Sequence, residues 1–173
     1  MDRISFYSII IVAMILALPV LSHFLRERPG VLQWSNLLIL GVYLFANLHL
    51  TIFSRAATYN YDIVLTPFWS YRDAVTEPFL REEILLNIIL YIPLGYLMHY
   101  AFPKFKWWQI LLCGFGLSLM TEAVQFVFRL GLCEIDDLID NTLGTFIGLA
   151  LYQLYIKLVQ NSIKRLNKAS DIN

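Results

Sequence analysis

The chain lacks most of what builds a soluble enzyme. It has two cysteines, Cys113 and Cys133, and no CxxC pair. That usage supplies neither a zinc site nor a disulfide framework. No histidine neighbours Cys133 in sequence, and no Ser, Cys or His reads as an activated nucleophile. Charge is scarce: 15% of residues are charged, against about 25% in a soluble domain. The formal net charge is zero, which excludes bulk attraction to nucleic acid or anionic surfaces. Internal repeats, linkers and low-complexity tracts are absent.

Apolar residues are what the chain has in excess. They make up 58% of it, with a mean hydropathy of +0.62. A soluble domain carries roughly 45–50%. The excess predicts an all-α integral membrane protein with one membrane domain over residues 1–173. A spanning helix needs about 20 mainly apolar residues. Five stretches meet this, at about residues 4–22, 34–53, 84–101, 107–128 and 139–159. The first, within MDRISFYSIIIVAMILALPVLS, is too long for a signal-peptide core and has no convincing cleavage site, so it reads as a retained span. The third carries Pro93 and Gly95, which predict a kink that neighbouring helices tolerate. The short link between the fourth and fifth predicts a helical hairpin.

Basic residues choose the direction. With the N-terminus outside, eight of the thirteen lie in cytoplasmic segments: Arg26, Arg28, Lys104, Lys106, Lys157, Lys164, Arg165 and Lys168. The positive-inside rule therefore predicts N-out and C-in, with a cytoplasmic tail at 160–173. In this orientation the polar loops at about 54–83 and 129–138 share the external face.

Those loops frame TEAVQFVFRLGLCEIDDLIDNTLG, residues 121–144. Glu122, Gln125 and Arg129 fall at i, i+3 and i+7, so they share one helix face. Asp137, Asn141, Gly144 and Gly148 share a face of the next helix. Gly144 and Gly148 make a GxxxG surface that admits a second backbone. Antiparallel packing predicts that the two polar stripes face each other, with Asn87 joining them. A carboxyl at membrane depth is costly. Glu122 therefore needs a proton or a partner among Arg129, Gln125, Asn87 and Asn141.

Each of these residues has a plainer reading. Glu122 serves equally as an interhelical lock. Asp136, Asp137 and Asp140 suit a solvated helix start, where acids favour the N-terminus and Asp137 can cap. Asn87 and Asn141 read first as interhelical hydrogen-bonding groups. His49 reads as a satisfied polar group. Trp107 and Trp108 beside Lys104 and Lys106 read as an interfacial anchor. Phe68, Trp69 and Tyr71 read as a membrane-dipping belt or a ligand platform. Asp136, Asp137 and Asp140 also match DDxxD, a weak pattern for a divalent metal bridging a lipid diphosphate. With that exception no cofactor is expected. If the protein is an enzyme, Glu122 and Asp137 are its candidate acid–base pair.

Three blocks, LTPFWSYRDA (65–74), NIILYIPLGYLM (87–98) and TEAVQFVFRLGLCEIDDLIDNTLGTFIGLALY (121–152), together resemble the VanZ family of bacterial membrane proteins. Their order and spacing fit over roughly the last two-thirds of the chain. Pro67 and Phe68 match the family's loop motif, and Asn87, Pro93 and Gly95 match its kinked span. Glu122 and Gln125 match its ExxQ; Asp137, Asn141, Gly144 and Gly148 match its DxxxNxxGxxxG. The chain departs at Glu134, where the family's first acid is Asp. It departs again at Leu130, where many relatives carry Arg; here Arg129 stands one residue earlier.

The resemblance implies a multi-pass protein of the bacterial cell membrane. It also implies low-level resistance to teicoplanin, an acylated glycopeptide acting at the outer leaflet on a lipid-linked cell-wall precursor. An external groove bearing Glu122, Gln125, Asp137, Asn141, Asn87 and Arg129, rimmed by Phe68 and Trp69, would engage the acylated drug or the precursor. The alternatives are a membrane enzyme acting on a lipid phosphate or envelope precursor, and a small transporter component. The sequence leaves the ligand and the oligomeric state open.

Overall fold

The computed structural model describes residues 13, 17–22, 24, 25, 27–59 and 62–170, without the side chains of 163, 164 and 166–170. Most of the expected first span, 4–22, lies outside the described residues. Residues 17–22 are helical, and Leu18 is buried in the same core as Leu40 and Tyr43.

Helix α1 is Pro29–Leu48 and runs on as a π-helical turn, His49–Phe53. A short strand β1, Ile63–Val64, and a short helix α2, Trp69–Asp73, follow. Helix α3 is Pro78–Ala101, and α4 is Trp107–Val127. Strand β2, Cys133–Glu134, leads directly into α5, Ile135–Ser170. Among the described residues four helical stretches, Pro29–Phe53, Pro78–Ala101, Trp107–Val127 and Ile135–Ser162, are long and apolar enough to cross a membrane.

Three helices begin earlier than their apolar runs. Pro29 and Pro78 occupy first-turn positions, where proline's fixed φ suits the helix and its missing N–H costs nothing. Helix α5 begins at Ile135, so Asp136 and Asp137 belong to its first turn and not to a loop. The loop expected at 54–83 accordingly gives up its last residues to α3. One feature departs from an all-helical reading. β1 and β2 pair in parallel, Ile63 opposite Cys133 and Val64 opposite Glu134. Two-residue strands leave no periodicity to read in the sequence.

The bundle is held by close backbone approach between α3 and α5. A Cβ on Gly148 would stand 1.9 Å from the Ile92 carbonyl oxygen, and one on Gly144 would stand 2.2 Å from that of Ile88. From the other side, a Cβ on Gly95 would meet the Thr145 carbonyl at 1.9 Å. The GxxxG surface thus faces α3, which the antiparallel hairpin argument alone does not give. Helix α4 covers the other side of α5, where Asn141 Nδ2 donates to Ser118 Oγ at 2.8 Å.

Helix α1 runs antiparallel to α3. Gln33 Nε2 donates to the Ala101 carbonyl at 2.6 Å and Asn36 Nδ2 to that of Tyr100 at 3.2 Å. These satisfy acceptors that a helix C-terminus leaves orphaned. Tyr43 Oη donates to the Leu90 carbonyl at 2.7 Å, about one turn before Pro93. The ends of α1 and α4 and the starts of α3 and α5 therefore gather at one end of the bundle, together with both polar loops.

Candidate functional site

At that end lies a cavity of about 630 Å3, bounded by the end of α1, the first half of α3 and the two loops. Its volume falls within the roughly 300–1,000 Å3 of ligand sites. Its lining mixes apolar side chains, among them Leu50, Phe79, Leu86 and Leu90, with the polar Arg55, Glu83, Asn87, Glu134 and Asp137.

The loops are folded down by α5. Asp136 is fully buried. Its Oδ1 accepts the Phe68 N–H at 2.6 Å; its Oδ2 accepts the Ser70 N–H at 3.0 Å and hydroxyl at 2.6 Å. This carboxylate caps the start of α2, where Phe68 takes a left-handed φ of 61°. Tyr71 donates its hydroxyl proton to Asp140, and burial followed by that bond pushes the phenol's pKa up. Trp69 Nε1 donates to Glu134 Oε2 at 3.1 Å. The 68–71 stretch is thus fastened by three separate acids, Asp136 and Asp140 of α5 and Glu134 of β2.

The polar floor is built across helices. Asn87 Nδ2 donates to Asp137 Oδ1 at 2.7 Å, joining α3 to α5. The Glu134 N–H donates to Glu122 Oε2 at 3.0 Å, joining β2 to α4. The Glu122 and Asp137 carboxyl groups stand close enough to act on each other, an arrangement that disfavours both being ionised at once. Glu122 is 1% exposed. It does not line the cavity itself but stands behind Asp137 and Glu134, which do.

Gln125 is buried deeper, and its Nε2 donates to the Thr51 carbonyl at 2.9 Å. That acceptor lies in the π-turn, where Ser54 N–H bonds to the His49 carbonyl five residues back at 2.8 Å. Such turns recur at functional sites. Asn141 is buried against Ser118 between α4 and α5, away from the cavity wall. Phe68 is 58% exposed, and Arg129 is exposed with φ 56°; neither lines the cavity.

The cation beside Glu122 and Asp137 is Arg55, whose charge acts on both carboxyls. Its Nη1 lies 3.0 Å from where a Cβ on Gly131 would stand. The bare glycine makes room for the guanidinium. Sequence reasoning gave that place to Arg129; Arg55 lies in a loop far from any helical repeat.

The three acids of DDxxD diverge: Asp136 turns to Ser70, Asp137 to Asn87, Asp140 to Tyr71. Among the described residues no group of three or more His, Cys, Asp or Glu is placed to hold a metal ion. Just outside the helices, burial and then the charges of Asp137 and Glu83 push the Glu134 carboxyl up to about 7, against the Trp69 bond that lowers it. Burial and the carboxylates of Glu122, Asp137 and Glu134 push the Cys133 thiol up as well, which makes it a poor nucleophile.

The comparisons with known proteins cover about two thirds of the chain. The protein is 34% identical over 129 residues to Protein VanZ of Enterococcus faecium, covering 67% of this chain and 72% of that protein. No solved structure matches it. A family model described as VanZ/LLP1 matches residues 37–157, the region holding α3, α4 and both loops with parts of α1 and α5. The chain belongs to the VanZ/LLP1 family.

Proposed function

We propose that the protein is a multi-pass membrane protein whose cavity opens at the outer face of a bacterial cell membrane and engages an amphiphile there, giving low-level resistance to teicoplanin-type acylated glycopeptides. The observation that carries this reading is the mixed lining of the cavity: leucines and Phe79 together with Asn87, Glu134 and Asp137. Such a lining suits a ligand with an apolar chain and a polar head. The family resemblance supplies teicoplanin, and an acyl tail at the outer leaflet suits the apolar side chains. In this reading Asp137, Asn87, Glu134 and Trp69 meet the polar head. Glu122 is a positioning residue that stands behind Asp137; Gln125 and Asn141 lock the helices around it.

The test is expression in a glycopeptide-susceptible bacterium. Asp137→Asn returns the teicoplanin inhibitory concentration to that of cells lacking the protein, at an unchanged amount in the membrane. Full resistance in this variant overturns the site.

A second reading, a membrane enzyme acting on an envelope precursor, is favoured by the Glu122–Asp137 contact. A carboxyl pair holding one proton is a unit that can both give and take one. It predicts turnover of a lipid precursor by the purified protein, seen by mass spectrometry and lost in Glu122→Gln. Unchanged precursors in both proteins count against it.

A further inference from the structure

We propose that α2 and the turn after it, residues 68–75, lie in the lipid headgroup layer with Phe68 and Val75 dipping towards the acyl chains; the inference rests on the bilayer-spanning reading above and names lipid as the partner of this surface. The segment is built inside out. In a helical turn residues three, four and seven apart share a face. Ser70 and Ala74, four apart, are buried. Phe68, Tyr71 and Val75 fall at i, i+3 and i+7, and all three are exposed, Val75 by 73%. The turn continues past the end of α2: the Ala74 N–H bonds to the Ser70 carbonyl at 2.8 Å, and the Glu77 N–H to that of Asp73 at 2.9 Å. Water favours the reverse arrangement, with small polar residues outside and large apolar ones packed. A face of this kind marks an apolar partner.

The backbone keeps Phe68 outside. Its φ of 61° lies in a region that aromatic residues rarely adopt, and such strain persists where the surroundings over-determine it. Asp136 does so here, accepting the Phe68 and Ser70 N–H groups. Neighbouring side chains then part: Trp69 lines the cavity, while the Phe68 ring stays out, edge-on to Tyr71 with centroids 5.8 Å apart. Depth selects lipid as the partner. The segment enters α3 at Pro78, three residues after Val75. Helix α3 has 24 residues, about 36 Å, whereas the bilayer with its headgroups is about 40–45 Å thick. A spanning α3 is thus too short to carry its first turn clear of the headgroups. Arg81 meets a need that arises at this depth: its Nε donates to the Ala74 carbonyl and its Nη2 to that of Val75 at 2.6 Å. Backbone acceptors withdrawn from bulk water need such donors. Phe79 is exposed and also lines the cavity, so the lipid-facing surface and the cavity meet at this residue.

The experiment uses the full chain in phosphatidylcholine nanodiscs. Phe68→Cys, Val75→Cys and Val42→Cys, each with Cys113→Ala and Cys133→Ser, carry a single nitroxide. Val42 is exposed midway along α1 and serves as the reference for lipid; the free label in buffer serves as the reference for water. Electron paramagnetic resonance measures how often each nitroxide collides with oxygen, which concentrates in lipid, and with a nickel chelate, which stays in water. At positions 68 and 75 the ratio of oxygen to nickel collisions rises several-fold above that of the free label, towards that at position 42. A ratio like that of the free label at either position, with position 42 reading as lipid, overturns the inference and leaves the spanning reading standing. Few collisions with both reagents at either position also overturn it, because a protein surface then covers this face. A ratio at position 42 like that of the free label overturns the inference and the spanning reading together.

Discussion

At the residue scale the site is a set of acids given different tasks by their partners. Asp136 is consumed by the Phe68 and Ser70 backbone and Asp140 by Tyr71, while Asp137 and Glu134 reach the cavity wall beside Glu83. Glu134 carries a pH signature. Its carboxyl titrates near 7 in the folded protein, while an unfolded glutamate titrates near 4.3. The folded state therefore holds this proton more tightly, and stability falls as pH rises from about 4.5 through about 7, then levels off. Denaturation of the purified protein in mild detergent at pH 5 and pH 8 checks this. Glu134→Gln, which cannot ionise, loses less stability across that interval than the natural protein. Equal losses in the two proteins would remove Glu134 as the source. Glu122 and Asp137 could be picked out of the sequence as a facing pair, because helical spacing and a short hairpin determine which faces meet. Arg55 could not, because its approach depends on the β1–β2 pairing and on the space left by Gly131.

At the element scale the closest approach is between α3 and α5. The spacing of Gly144 and Gly148 announced a close backbone contact, but not its partner. Ile88 and Ile92, also four apart, turn out to supply the facing carbonyls. Gly148→Ala tests whether this contact holds the bundle. Alanine gains about 1 kcal/mol over glycine in helix propensity. Against this, its Cβ would stand 1.9 Å from a backbone oxygen, and a rigid helix cannot yield as a side chain can. Overpacking of this kind costs about 1–3 kcal/mol or more. The expected net effect is a lower midpoint of thermal unfolding in detergent; an unchanged or raised midpoint would show that α5 can shift away freely. The helix starts at Pro29 and Pro78 escaped a search for apolar runs because they are set by proline at the first turn, in stretches such as Arg81, Glu82 and Glu83 that are charged. The π-turn at His49–Phe53 escaped it because a five-residue bonding pattern leaves no mark in hydropathy.

At the scale of the whole molecule the polar loops, the cavity and the Glu122–Asp137 pair all sit at one end of the bundle. The His99–Tyr152 stack, with ring centroids 4.4 Å apart, sits towards the other. Composition was enough to indicate a helical membrane protein; which end faces outward depends on where thirteen basic residues fall. The N-out, C-in proposal puts the cavity end outside, and it is open to a direct measurement. Tyr59 is fully exposed in the loop beside the cavity. Ser162 is exposed far along α5, which at 36 residues is about 54 Å long and outruns a hydrocarbon core of about 30 Å. Tyr59→Cys and Ser162→Cys, each in a background with Cys113→Ala and Cys133→Ser, place single thiols at opposite ends. A membrane-impermeant maleimide added to intact cells labels the Tyr59 position, and labels the Ser162 position only after permeabilisation. The reverse pattern turns the molecule over and gives the cavity to the cytoplasmic leaflet. An acylated glycopeptide outside the cell would then be out of its reach, and the resistance reading would fail with the orientation.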